Sequence, residues 1–252
     1  MNLKISLGGD IVHYIGAIGF FKSIDEIEEN KRLSGDFEIY CSGFSCIPAL
    51  LWYYNKNSAY NTLSKMWNEL PKIFPNASKN SLKEISKNVF TLVKMQKKLD
   101  EEESRKNLTQ FFEKWVPNFE ITGSEKIKFC SFNLESSQEE ILVGNSIDII
   151  VKAINYPIDF SPVKGYTSLS WIFGIPLGDV IIYIDWIKSF KPQRASDYLL
   201  LSTFSRTLNI AKDRISKSKY FINIEIDNNS NFAIIANKFY QAGKKLTDSI
   251  YK

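Results

Sequence analysis

The 252-residue sequence contains a single histidine, His13, and that scarcity excludes any metal centre built from several imidazoles. Cysteine is almost as rare. Cys41, Cys46 and Cys130 form no C-x-x-C pair, so no zinc site is expected, and the usage suits a reducing cytoplasm. Long hydrophobic runs are missing too: stretches such as Ile47 to Tyr54 fall far short of the roughly 20 residues that span a bilayer. The N-terminus enters a strand pattern at once, with Lys4 inside it, so no secretory leader is expected. No Arg-rich stripe accompanies the net charge of +4. Nucleic acid is therefore not an expected partner, whereas contact with an anionic surface is permitted. Leu7-Gly8-Gly9-Asp10 offers neither G-x-G-x-x-G nor a P-loop lysine, which argues against a nucleotide site, and no cofactor is expected. What remains is ordinary globular composition, 44% apolar and 24% charged, in a chain long enough to bury a substantial core.

Local patterns divide the chain into strands and helices. Leu3, Ile5 and Leu7 alternate with polar residues before Gly8-Gly9, and an apolar helical segment is predicted from Tyr14 to Ile27. A second strand is predicted at Phe37, Ile39 and Cys41, then a turn at Ser42–Ser45, then a helix starting near Pro48, where a missing N–H costs nothing. From about Ser58 to Trp115 the chain is rich in Lys, Asn and Ser, and Ile85, Val89, Leu92 and Leu99 repeat at helical spacing. This stretch reads as a helical insertion, 58–115, within a single domain covering 1–252. Strands are predicted at Lys126–Leu134, Glu139–Val143, Val180–Ile184 and Tyr220–Ile226, and helices at Ser146–Ile154, Ser196–Ser218 and Asn231–Tyr251. Strands alternating with helices predict a mostly parallel sheet covered on both faces.

One local feature carries chemistry. Gly43-Phe44-Ser45-Cys46-Ile47 sits between a strand and a helix, the context of the G-x-S-x-G nucleophile elbow. There the serine is held in a strained conformation with its hydroxyl projecting at a helix N-terminus, where backbone N–H groups stabilise an oxyanion. The second glycine is Ile47. The competing reading is that Ser45 merely caps the helix.

The order of segments resembles the bacterial patatin-like phospholipase family over nearly the whole chain. Ser6-Leu7-Gly8-Gly9 with Tyr14-Ile15-Gly16-Ala17 is similar to that family's glycine-rich oxyanion loop and helix start. Gly43-Phe44-Ser45 is similar to its G-T-S nucleophile turn. Lys128–Asn133, Ile149–Pro157 and Phe160–Val163 resemble its strand, helix and proline-containing stretch, and Ser196–Ile226 with Phe239–Gly243 resemble its closing pattern. The resemblance implies a three-layer patatin-like α/β fold, with a mostly parallel central sheet, helices on both faces and a helical insertion. It also implies a lipid acyl hydrolase (phospholipase or esterase) ancestry. In such enzymes Ser45 would be the nucleophile, a carboxylate would take its proton directly, and Gly8, Gly9 and the backbone of Cys46 would hold the oxyanion.

The same resemblance exposes departures. Counting back from Ile175-Pro176-Leu177 puts Ser168-Leu169-Ser170 where the family carries D-G-G, so Ser168 marks the place of a missing dyad aspartate. A hydroxyl is no general base near neutral pH. Asp10 stands near the family's basic residue, where its charge would repel an oxyanion. Asp159, Asp179 and His13 are the alternative bases. Each has a structural reading beside it: a loop residue, a strand start, and a helix-start histidine bonded to backbone. The resulting expectation is weak or absent acyl hydrolysis, with a non-catalytic lipid- or partner-binding pseudoenzyme as the alternative. Trp67, Phe74, Phe111, Phe112 and Trp115 of the insertion would either touch anionic lipid at a membrane periphery or pack onto the domain.

Overall fold

The alternation in Leu3–Leu7 becomes strand β1 (Leu3–Leu7), and Gly8-Gly9 ends it before helix α1 (Ile11–Glu29). The computed structural model describes residues 3–29, 37–74, 100–156, 160–183, 195–225 and 232–250. After α1 come β2 (Phe37–Ser42), a 3₁₀ turn at Gly43–Ser45, α2 (Cys46–Tyr54) and α3 (Lys56–Trp67). Next are α4 (Glu101–Glu113), β3 (Glu120–Ile121), β4 (Ile127–Asn133), β5 (Gln138–Leu142), β6 (Gly144–Asn145) and α5 (Ser146–Ile154). The chain continues through β7 (Tyr166–Thr167), α6 (Leu169–Ile172), β8 (Val180–Tyr183), α7 (Ala195–Lys217), β9 (Tyr220–Asn223) and α8 (Phe232–Ile250).

The main sheet runs in the order β5-β4-β2-β1-β8-β9. Its inner pairs are parallel: Ile5 lies beside Ile39 and Val180, Cys41 beside Phe129, and Ile182 beside Ile222. Only β5 and the short β7 run antiparallel, both against β4. Side chains alternate across the strands, and each face finds its own helices. Ile5, Leu7, Phe37, Ile39, Cys41, Val180 and Ile182 join one core with α1, α2, α5 and α8. On the other face Cys130 and Phe132 meet Leu169 of α6, and Ile181 meets Ala211 of α7. The protein is thus a mixed α/β fold with a mostly parallel sheet flanked by helices.

Several expectations shift by a turn or less. Helix α2 starts at Cys46, so Pro48 is its third residue, still within the turn that needs no N–H. Asn55 caps α3 by accepting from the N–H groups of Asn57 (3.1 Å) and Ser58 (3.3 Å), and Asp100 caps α4 through the Glu103 N–H (2.8 Å). Phe74, Phe111 and Phe112 of the insertion are buried in the main core, and Trp67 and Trp115 pack against it. These five aromatics therefore pack onto the domain. The helical repeat Ile85–Leu99 lies outside the described residues. Helices α1 and α8 pack tightly: Gly16 faces the Phe239 ring and Gly19 faces the Ala236 carbonyl too closely for any side chain.

Candidate functional site

Because the inner strands are parallel, the loops after β1 and β2 emerge side by side at one edge of the sheet. Three backbone features decide the site there. First, the left-handed residue of the β2–α2 turn is Gly43, at φ +54°. Ser45 has ordinary helical dihedrals, φ −70° and ψ −17°. The expected strain on Ser45 is absent, because the chain reverses two residues earlier. A Cβ on Gly43 would run into the Gly9 carbonyl and lie 2.9 Å from both the Ser170 Oγ and the Tyr156 hydroxyl, so the turn requires glycine on two counts.

Second, Ser45 points inward. It has no solvent-accessible surface. Its hydroxyl donates to the Ser42 carbonyl (2.9 Å) and accepts from the Ser42 N–H (3.1 Å). Both bonds stitch the 3₁₀ turn together and turn the hydroxyl inward, unlike an elbow serine, and the expected cap on α2 is not made either. Third, two amides of the turn are occupied. Phe44 N–H donates to the Gly9 carbonyl (2.8 Å), and Cys46 N–H donates to the carbonyl of Gly43. An incoming oxyanion finds neither of them free.

A cluster of hydroxyls surrounds the Gly9 carbonyl. Tyr156 OH donates to it at 2.5 Å, and the Ser42 and Ser170 hydroxyls bond to each other at 2.9 Å. Ser168 occupies the N-cap position of α6. Its buried hydroxyl faces Tyr156 but makes no hydrogen bond of ordinary geometry. Burial of the Tyr156 hydroxyl, with a lesser contribution from the Asp10 charge, holds that phenol well above its usual pKa. It stays protonated and acts as a donor at neutral pH. Its ring stacks on Phe44 (5.5 Å between centroids) and meets Trp171 edge-on (6.4 Å).

Of the alternative bases, Asp179 lies at the opposite edge of the sheet, before β8. Burial would raise its pKa, but the Lys4 N–H and the Lys219 ammonium hold the carboxylate below the usual range. It is a strand-start residue. His13 lies just inside α1. Its Nδ1 is 2.7 Å from Asp10 Oδ1, and Asp10 also caps the helix through the Val12 N–H (3.2 Å). The His13 Nε2 is buried with no hydrogen-bond partner, and the ring stands edge-on to Phe239. Gly8 is needed there, since a Cβ would come within 2.6 Å of that ring. Asp159 lies outside the described residues. Burial pushes the Cys41, Cys46 and Cys130 thiols up, which makes them inert packing groups. Among the described residues no group of His, Cys, Asp and Glu is arranged to hold a metal, and no helix is long and apolar enough to cross a membrane.

The structure therefore brings Gly9, Ser168 and the Ser45 turn together, and Ser42, Gly43, Tyr156 and Ser170 complete the cluster. Ser42 and Gly43 belong to the serine turn and Ser170 to the segment set against D-G-G, whereas nothing in the sequence marks Tyr156 as a site residue. No family model matches the chain, and no curated protein sequence does either.

Proposed function

We propose that the chain is a patatin-like three-layer α/β domain whose serine turn is hydrolytically silent, and that it acts by binding an apolar, acyl-type ligand. The observation that carries this reading is the double engagement of Ser45 Oγ with Ser42, in a turn whose Phe44 and Cys46 amides are already spent. Ester attack requires that the serine oxygen reach a carbonyl carbon, that its proton pass to a base, and that the developing oxyanion find donors. Ser45 donates its proton to a backbone carbonyl, which is no base. No carboxylate or imidazole hydrogen-bonds to it among the described residues. What supports a binding role is the half-buried pair Tyr156 and Trp171 beside the closed turn, apolar rings at the edge of a parallel sheet where ligands of α/β folds collect.

The deciding experiment joins two readouts on the intact chain. Fluorophosphonate labelling and p-nitrophenyl ester hydrolysis should both be no faster in the wild type than in Ser45→Ala. A fluorescent fatty-acyl probe should quench tryptophan emission saturably, and Trp171→Phe should reduce that quenching. Rapid Ser45-dependent labelling would overturn the silent turn. Absence of saturable quenching would overturn the binding role.

A further inference from the structure

We infer that β9 is the seam of a symmetric dimer, in which two copies of this chain pair antiparallel through residues 219–225 and extend the sheet across a two-fold axis at Ile222. Strand β9 ends the strand order, and among the described residues nothing pairs with its outer edge. The hydrogen bonds to β8 fix which groups that edge offers. Tyr220 N–H donates to Asp179 and Ile224 N–H to the Tyr183 carbonyl, so in this parallel register residues 220, 222 and 224 face β8. The N–H and C=O groups of Phe221 and Asn223 point outward. The Glu225 carbonyl also points outward, and Lys238 of α8 already covers it at 2.6 Å.

An antiparallel copy centred on Ile222 sets Phe221 opposite Asn223, and each such pair exchanges both N–H···O bonds. The side chains match in the same register. On one face Tyr220 meets Ile224 and Ile222 meets its own copy. On the other face Lys219 meets Glu225 at both ends of the seam, while Lys219 also keeps its 2.9 Å contact with Asp179 in its own chain. A register slipped by one residue would put each side chain against the wrong face. The edge carries no proline or bulge, and inside it Tyr220 and Phe221 are 37% and 44% exposed, an unusual surface for a strand meant to stay unpaired. The contact is isologous and closes at two copies.

Sedimentation equilibrium of the full chain should show a reversible monomer–dimer equilibrium at high micromolar concentration, as suits a small seam. Asn223→Pro removes only an outward N–H and should weaken association at least about tenfold, with an unchanged circular dichroism spectrum. A wild type that stays monomeric, whether because the edge is idle or because it serves a different partner, overturns the proposal. So do trimers or larger species, and so does a folded Asn223→Pro that still dimerises like the wild type. If Asn223→Pro fails to fold, the charge pair decides. Glu225→Lys opposes Lys219 of the other copy and should weaken the dimer, and adding Lys219→Glu should restore it. Association unaffected by Glu225→Lys overturns the seam in that case.

Discussion

The carbonyl oxygen of Gly9 lies 2.8 Å from the amide nitrogen of Phe44, and the Tyr156 hydroxyl approaches the same oxygen at 2.5 Å. One backbone carbonyl thus fills the position where two donors converge. The loop after β1 closes over the turn after β2. Tyr156→Phe keeps the stacked ring and deletes one of the two donors. It should lower stability by about 1 kcal/mol, the net worth of a typical hydrogen bond. Urea denaturation checks this, and a change indistinguishable from zero would show that the phenol contributes nothing to the closure.

Gly43→Ala should be far more damaging than Ser45→Ala. The alanine would have to adopt a left-handed conformation, at about 1–2 kcal/mol, while its Cβ pressed into the Gly9 carbonyl. Ser45→Ala loses the two bonds to Ser42 and the contact with the Cys41 thiol, about 1–2 kcal/mol. Equal costs in a denaturant series would mean that the loop after β1 moves aside without penalty.

That contrast shows where the sequence was legible. The alternation in Leu3–Leu7 and Phe37–Cys41 fixed the sheet faces because a one-residue slip would expose the core, and helices α1, α5, α7 and α8 fall on the segments predicted helical between the strands. Ser45 was located correctly on a strand-to-helix turn, but its direction was not legible. Whether a turn pivots at Gly43 or at Ser45 depends on which backbone groups the neighbouring loop supplies, and Gly9 is 34 positions away in the chain. Tyr156 entered the cluster for the same reason. Its contacts come from the packing of the chain after α5 against the sheet edge, which no local spacing encodes.

Gly19→Ala examines the α1–α8 contact. Its Cβ would meet the Ala236 carbonyl, a backbone group that cannot rotate away. Overpacking of this kind costs about 1–3 kcal/mol, even though alanine is the better helix former by about 1 kcal/mol. A net gain in thermal stability would show that the two helices separate freely.

Acid should weaken the fold through Asp148. Burial raises its pKa, but hydrogen bonds and charge from Lys152 (3.0 Å) and Lys164 (3.1 Å) outweigh burial and hold the carboxylate below its ordinary value. A carboxylate with a lower pKa folded than unfolded stabilises the fold above the unfolded value, and that contribution is lost as pH falls through the folded one. Stability should therefore be level above about pH 5 and decline below about pH 4. In Asp148→Asn the decline should be shallower, since one of its sources is gone. An identical acid slope in wild type and variant would remove Asp148 from the account.

The last prediction concerns Ser168→Asp, the change that would rebuild a Ser–Asp dyad if only the acid were missing. A positioned general base contributes on the order of 100- to 10,000-fold, so restored chemistry would be visible above a silent background. The structure argues for the opposite outcome. Ser168 is fully buried beside the Tyr156 hydroxyl, and a carboxylate placed there is protonated or captures the phenol as its donor. Ser45 remains turned inward with its hydroxyl on Ser42, so the new carboxylate has no nucleophile to serve. Extending the change to Leu169→Gly and Ser170→Gly makes matters worse. Leu169 is fully buried against Cys130 and Phe132, and its removal costs about 2–5 kcal/mol, while Ser170 loses its bond to Ser42. The expected results are lower stability for Ser168→Asp, a severely destabilised triple variant, and no Ser45-dependent ester hydrolysis from either. A folded Ser168→Asp variant that hydrolyses p-nitrophenyl esters, and loses that activity on Ser45→Ala, would show that the turn opens in solution.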